Sequence, residues 1–288
     1  MGIKLVTDSS CDLTREYILE KQIHLIPLEV NLGGEFIKDD LGQTLSHVEF
    51  YKKLRQGERP STSLTNSYTF EENFKKLIEA GEEFIYLGIS GGLSGSFTNA
   101  LGVEHHLKSI YPHAKFRVLD SECGASGLGL LIYLAQQKIE QGMPFEELVA
   151  WIEEHKGRIA HLFTVEDLEF LKRGGRISGS AAFVGGLLHI KPILQVVEGG
   201  KLAPLAKVKG RKKALRYLAE QVKKEWVGKD VPEIFVTHGD CEEDALALKE
   251  MLLEENEDAS IQLSYIGAVI GSHTGPGALG VMFMKREL

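Results

Sequence analysis

Across residues 3–140 short apolar runs alternate with longer segments of helical period, and this alternation restricts the fold more than any other feature of the chain. IKLV (3–6) leads through TDSSCDL into a helical TREYILEKQ, and IHLIPLEVNL (23–32) reads as the next strand. SHVEFYKKL reads as a helix opened by a capping box of Ser46 and Glu49, and FEENFKKLIEAG as one opened by a second box of Thr69 and Glu72. EFIYLGIS, FTNALGVEHHLKSIY, KFRVLD and GLGLLIYLAQQKIEQG continue the pattern. Strands separated by helices are joined by crossovers, so they pair in parallel, and a parallel sheet must be covered on both faces. The expectation is an α/β fold, a parallel sheet with helices on both sides.

The rhythm changes after PFEELVAWIEEH, near Gly157. ILQVVEGGKLAPLAKV (193–208) reads as two strands reversed at Gly199–Gly200. RKKALRYLAEQVKKEW and EEDALALKEMLLEEN are amphipathic helices on either side of the strand EIFVTH, and IQLSYIGAVIG and GALGVMFMK close the chain. The pattern predicts a parallel-sheet α/β domain over residues 1–157, then a smaller α/β domain with a mixed sheet over 158–288.

Composition narrows the function classes. A chain of 288 residues, 43% hydrophobic, has ample material for a core. The net charge of -8, with Lys and Arg scattered, argues against a nucleic-acid partner, and KVKGRKK (207–213) reads as a solvated helix start. No apolar run reaches the roughly 18 residues of a membrane span. The N-terminus opens into a strand without signal-peptide architecture, so a cytoplasmic protein is expected. Cys11, Cys123 and Cys241 lack C-x-x-C spacing and read as reduced packing residues. Each follows an Asp-containing strand end, which leaves convergence on one site as the alternative; no metal site is expected.

In an open parallel sheet, ligands sit beyond the carboxyl ends of the strands. Here those ends carry TDSS (7–10), SGGLSGS (90–96) and DSE (120–122), with PSTS (60–63) in a loop before a helix, a rim rich in hydroxyls and poor in cations. Ser94-Gly95-Ser96 at a helix start offers backbone N–H groups and the positive end of a helix dipole, a place for a carboxylate or phosphate. The plainer alternative is that Ser94 or Ser96 only caps the helix. No Lys follows the glycines and G-x-G-x-x-G is not matched, so neither ATP nor NAD is expected as a cofactor. Gly88-Ile89-Ser90-Gly91-Gly92 does fit the serine-nucleophile elbow, and Ser90, Asp240 and His273 follow in hydrolase order. A Ser90-dependent esterase or thioesterase is therefore the enzyme alternative, against which stands the placement of Asp240 and His273 in the second half of the chain. LEFLKRGGRISG (168–179) ends a helical pattern on two glycines and turns to Arg176, placed to project into a cleft and meet an anion. AAFVGGLLHIKP (181–192) is apolar with two internal glycines, suited to a core or to a wall against which something apolar packs.

In order, TDSS, PSTS, SGGLSGS, DSE, LKRGGRIS, IKP, KVKGRKKA and SHTGPGALG resemble the motif series of the DegV family of bacterial lipid-binding proteins, over about residues 4–284. The resemblance implies two α/β domains with one long-chain fatty acid, such as palmitate, buried between them. It implies no turnover by the protein itself, but presentation of the carboxyl group to a separate fatty acid kinase. By position, Thr62 and Ser94 match the family's carboxylate-binding hydroxyls, His273 a histidine at the same end, and Arg176 an arginine at the mouth associated with phosphoryl transfer. Ser90 matches a position commonly serine while Gly88 lies outside the family pattern, so the elbow reads as coincidence. Gly92 is a departure, ISGGLSG standing where LSSGLSG is typical. The first domain also resembles part of dihydroxyacetone kinase, but that chemistry needs clustered Mg2+-binding carboxylates and an ATP site, and the sequence displays neither.

Overall fold

The computed structural model describes residues 2–177 and 190–286, so residues 181–189 of the apolar stretch AAFVGGLLHIKP lie outside the described residues. The first part of the chain runs β1 (Lys4–Asp8), α1 (Arg15–Glu20), β2 (His24–Ile26), β3 (Leu28–Leu32), β4 (Glu35–Asp39), α2 (His47–Arg55), β5 (Ser61–Ser63), α3 (Ser67–Glu79), β6 (Phe84–Gly88), α4 (Ser96–Ile110), β7 (Phe116–Asp120), α5 (Ala125–Glu140) and α6 (Phe145–His155). It continues with β8 (Ile159–Thr164), α7 (Glu169–Arg173), β9 (Ile190–Val197), β10 (Lys201–Lys209), α8 (Arg211–Glu225), β11 (Glu233–His238), α9 (Glu242–Glu255), β12 (Ser260–Tyr265), α10 (Ala268–Thr274) and β13 (Leu279–Met284).

The expected parallel sheet is present in the order β2-β1-β6-β7, every pair parallel. Phe70, Phe74, Val103 and Leu107 of α3 and α4 pack on one face, against Val6 and Tyr86. Ile18, Leu128, Leu131 and Leu148 pack on the other, against Leu5, Ile85 and Leu87. The mixed sheet runs β10-β9-β8-β13-β11-β12, with only β11 and β12 parallel among its pairs. The predicted Gly199–Gly200 reversal joins β9 to β10, both glycines at positive φ. Between the two sheets lies α5, buried almost all round; Leu128 and Leu131 share one core with Leu5 and Leu87 of the parallel sheet and with Phe235 and Met282 of the mixed sheet.

A third sheet, β4-β3-β5, wholly antiparallel, was not expected. IHLIPLEVNL is two strands: Pro27 has no N–H to donate to a ladder, and the chain crosses there from β2 in the parallel sheet to β3 in the small one. PSTS, expected as a loop, supplies β5, with Thr62 opposite Val30. The Ser46 cap holds, its hydroxyl accepting from the Glu49 N–H. The Thr69–Glu72 box does not: Asn66, an equally good cap, starts α3 three residues earlier and accepts the Thr69 N–H at 2.9 Å.

Candidate functional site

The loop from β6 to α4 is pinned by groups at neighbouring strand ends. Asp8, at the end of β1, accepts the Ile89 N–H at 2.9 Å and the Tyr86 hydroxyl at 3.0 Å; Asp120, at the end of β7, accepts the Gly91 N–H at 3.1 Å. The Ser90 N–H donates to the Cys123 carbonyl, and the Leu93 and Ser94 N–H groups to the Ser90 carbonyl. The Asp of TDSS, read as part of the ligand rim, is thus turned inward as a brace, and burial raises its pKa above the usual carboxylate range.

Ser94 lies one residue before Gly95, the N-cap of α4, which has no side chain to make a cap hydrogen bond. Its hydroxyl accepts the Ser96 N–H at 3.2 Å and donates to Ser96 Oγ at 3.1 Å, while Ser96 Oγ accepts the Thr65 N–H. Of the two serines weighed as caps, Ser96 is fully buried and ties the Thr65 backbone to α4; Ser94 stays half-buried on the helix's positive end.

Thr62 on β5 and His273 in the last turn of α10 meet although 211 residues apart: Thr62 Oγ1 and His273 Nε2 are 2.8 Å apart. Burial, with the charges of Arg176 and Arg173 adding to it, pushes the His273 pKa down to about 4, so the imidazole is neutral at pH 7. Its Nδ1 is buried without a hydrogen-bond partner among the described residues, facing Gly174, where a Cβ would come within 2.2 Å of it. Arg176 donates from Nε to the Leu93 carbonyl at 3.0 Å and from Nη1 to the Gly174 carbonyl. This ties the chain after α7 to the Ser94 loop.

Thr62, Ser94, His273 and Arg176 all line one cavity. Its walls are otherwise largely apolar, including Leu28, Leu93, Leu171, Ile266 and Val269. One face of the mixed sheet forms its floor, where His161 pairs with Met282 across strands, and Phe163 and Thr237 flank Gly280. Sequence reading missed these floor residues; the isolated Gly280 inside a strand was the available signal, since a missing side chain there opens space above the sheet. His161 is buried, donates through Nδ1 to the Ile159 carbonyl, and burial pushes its pKa down to about 4.

The hydrolase constellation is not assembled. Ser90 is fully buried, accepts the Gly92 N–H, and lies against the β9–β10 turn, where a Cβ on Gly200 would fall 1.8 Å from its Oγ. Asp240 is engaged by Arg55, with Nε–Oδ2 at 2.5 Å, and His273 by Thr62. Neither Ser90 nor Asp240 lines the cavity. Gly92 acquires a reason: a Cβ there would sit 2.2 Å from the Gly199 carbonyl oxygen, so the loop admits only glycine where the hairpin crosses it. The three cysteines are free, Cys11 and Cys123 buried in the shared core and Cys241 packed beside the core of α8 and α9. Among the described residues no three His, Cys, Asp or Glu side chains are grouped to hold a metal ion, and no helix is long and apolar enough to cross a membrane.

The family model described as "Uncharacterised protein, DegV family" matches residues 2–286. The chain belongs to the DegV family. A DegV domain-containing protein of Clostridium perfringens is 41% identical over 280 residues, 97% of this chain and 96% of that one. Among solved structures, the fatty acid-binding DegV family protein of Thermus thermophilus superposes with a TM-score of 0.87 at 30% identity, covering 99% of this chain and 100% of that one. DegV of Bacillus subtilis, a fatty acid-binding protein, gives 0.85 at 31%, with the same coverage. A stearic acid-binding protein of Eubacterium ventriosum gives 0.85 at 26%, covering 98% of both chains. The DegV fold, a parallel sheet with a mixed sheet, is therefore that of proteins crystallised as fatty acid binders.

Proposed function

We propose that this DegV-family protein holds one long-chain fatty acid, such as palmitate, with the tail in the cavity and the carboxylate at Thr62, Ser94 and His273. The observation that carries the reading is that two hydroxyls, a neutral imidazole and a helix N-terminus line one largely apolar cavity, with Thr62 and His273 in contact. Each buried methylene contributes roughly 0.8 kcal/mol, so a sixteen-carbon tail supplies on the order of 10 kcal/mol before association costs. The tail dominates affinity, and the polar groups decide which way round the chain lies. A carboxylate leaving water costs several kcal/mol unless it is hydrogen-bonded, and hydroxyl donors meet that need without neutralising the charge.

The carboxylate stays nucleophilic, and a separate ATP-using kinase can transfer a phosphoryl group to its oxygen, giving an acyl phosphate and ADP. Arg176, at the edge of the same site, is the residue to serve that partner. In this reading the protein has no turnover of its own and works in the cytoplasm, where ATP is available. Residues 1–157 carry Thr62 and the Ser94 loop, and residues 158–288 cover the acyl chain.

Mass spectrometry of an organic extract from purified, denatured protein tests the proposal. Near-stoichiometric long-chain fatty acid, lost in a Thr62→Ala/Ser94→Ala double variant, is expected. Protein that is empty and takes up no added palmitate would end the lipid reading. Arg176→Ala is expected to keep its lipid while losing phosphoryl transfer by the kinase.

A further inference from the structure

The short helix α10 connects two strands of the mixed sheet, β12 and β13, yet its hydrogen bonds at the start come from elsewhere. Asp12, in the loop after β1, accepts the Gly267 N–H at 2.9 Å, and Asp39, the last residue of β4, accepts the Val269 N–H at 3.0 Å. The Tyr51 hydroxyl of α2 donates to the Ile266 carbonyl at 2.9 Å. The fit leaves no slack: a Cβ on Gly267 would lie 3.0 Å from Asp12 Oδ1 and 3.2 Å from Asp39 Oδ2, and one on Gly271 would lie 2.6 Å from Tyr51 Oη.

The far end of α10 carries His273, bonded to Thr62. Thr62 and Asp39 belong to the same small sheet, on the two edge strands that flank β3. Edge strands on either side of a central one are separated by roughly 10 Å. A seven-residue helix is about the same length, roughly 10 Å. The sheet therefore holds the helix at both ends, by Asp39 at the first turn and by Thr62 at the last. We propose that Asp12 and Asp39 are positioning residues for the carboxylate site, fixing the first turn of α10 so that the His273 imidazole in its last turn meets the Thr62 hydroxyl.

Two further observations support this. Both aspartates are only 6% exposed, and among the described residues neither has a salt-bridge partner and Asp12 Oδ2 has no hydrogen-bond partner. Burial accordingly raises both pKa values, that of Asp39 to about 6. Unpaired buried carboxylates are costly; here Asp12 holds the start of one short helix, and Asp39 holds the same helix together with the Leu41 N–H. In addition, α10 packs on β3 and β5 of the small sheet and on α2 and α7, so a shift of its first turn is carried to the site through the helix itself.

The ligand arm of the test rests on the fatty-acid reading; the spectroscopic arm does not. In ligand-free protein with 15N-labelled histidine, the His273 ring signals, assigned with His273→Gln, report its tautomer and its bond to Thr62. Asp39→Ala is expected to shift those signals and to let the ring titrate closer to an ordinary histidine. It should weaken palmitate binding at least tenfold and hexadecanol, which shares the tail without the carboxylate, no more than about twofold. Asp39→Asn keeps an acceptor of the same shape and should recover most of the loss. Unmoved His273 signals, or equal weakening of both lipids, would overturn the proposal. If Asp39→Ala does not fold, Asp39→Ser carries the same expectations; if that variant also fails to fold, the aspartate holds the molecule rather than the site and the proposal falls. Wild-type protein that takes up neither lipid sinks the fatty-acid reading alone, with the imidazole spectra still deciding the positioning role.

Discussion

Gly174 and Gly175 stand side by side for different reasons. Gly175 has φ +69, the left-handed region in which a Cβ costs about 1 kcal/mol. Gly174 has an ordinary helical φ of -70, but its missing side chain makes room for His273 Nδ1. Gly174→Ala should therefore fold normally and push the imidazole off Thr62, lowering palmitate affinity about tenfold in a titration. Gly175→Ala should lower thermal stability with a smaller effect on affinity. His273 also makes a pH prediction. Its folded pKa, near 4, lies below the ordinary histidine value of 6.5, so its contribution to stability is present above pH 6.5 and lost as pH falls through 4. The C2–H resonance of His273 in ligand-free protein should titrate near pH 4, and His273→Gln should flatten the fall of Tm between pH 6.5 and 4.

At the scale of elements, the β9–β10 turn lies across the Ser90–Gly92 loop. Glu122, just beyond β7, accepts the Gly199 N–H at 3.1 Å and pairs with Lys156 at 3.3 Å. Val196 and Leu202 of that hairpin, paired across its two strands, both line the cavity, so the turn ties one cavity wall to the parallel sheet. Glu122→Ala removes this partly exposed hydrogen bond and one of the ion pairs of Lys156, which keeps Glu153, a loss of about 1 kcal/mol in all. Amide exchange at Gly199 and the exchange of bound for free fatty acid should both quicken, while Tm falls by no more than about 3 °C. An unchanged exchange rate would mean that lipid enters without parting this contact. The small sheet shows why elements escape a sequence reading: β5 is three residues of Ser and Thr, too short and too polar for a period of two to register.

The whole molecule is joined through α5. Leu131, fully buried in the core common to both sheets, should cost about 2–5 kcal/mol when cut to Ala. Trp151 on α6 packs beside that core, whereas Trp226, following α8, belongs to the core beneath the mixed sheet. Single-tryptophan variants should show one coincident unfolding transition for the two probes, and Leu131→Ala should lower both midpoints together. Separate midpoints would show that the two sheets unfold independently despite their shared residues.

The sequence by itself determined the two main sheets, their sense and their covering helices, because strand and helix periods are local and a crossover forces parallel pairing. Its motif series was also sufficient to name Thr62, Ser94, His273 and Arg176 as candidates, and all four line the cavity. Only the tertiary structure decided what each one touches. The Ser90, Asp240 and His273 order was legible in the chain and empty of chemistry, since Arg55 holds one and Thr62 another. Likewise Asp12 and Asp39, unremarkable as a pair in the chain, converge on one helix through contacts more than 200 residues long in sequence. Local periodicity specifies elements; which buried donor meets which acceptor depends on packing between elements, and no window along the chain contains both partners.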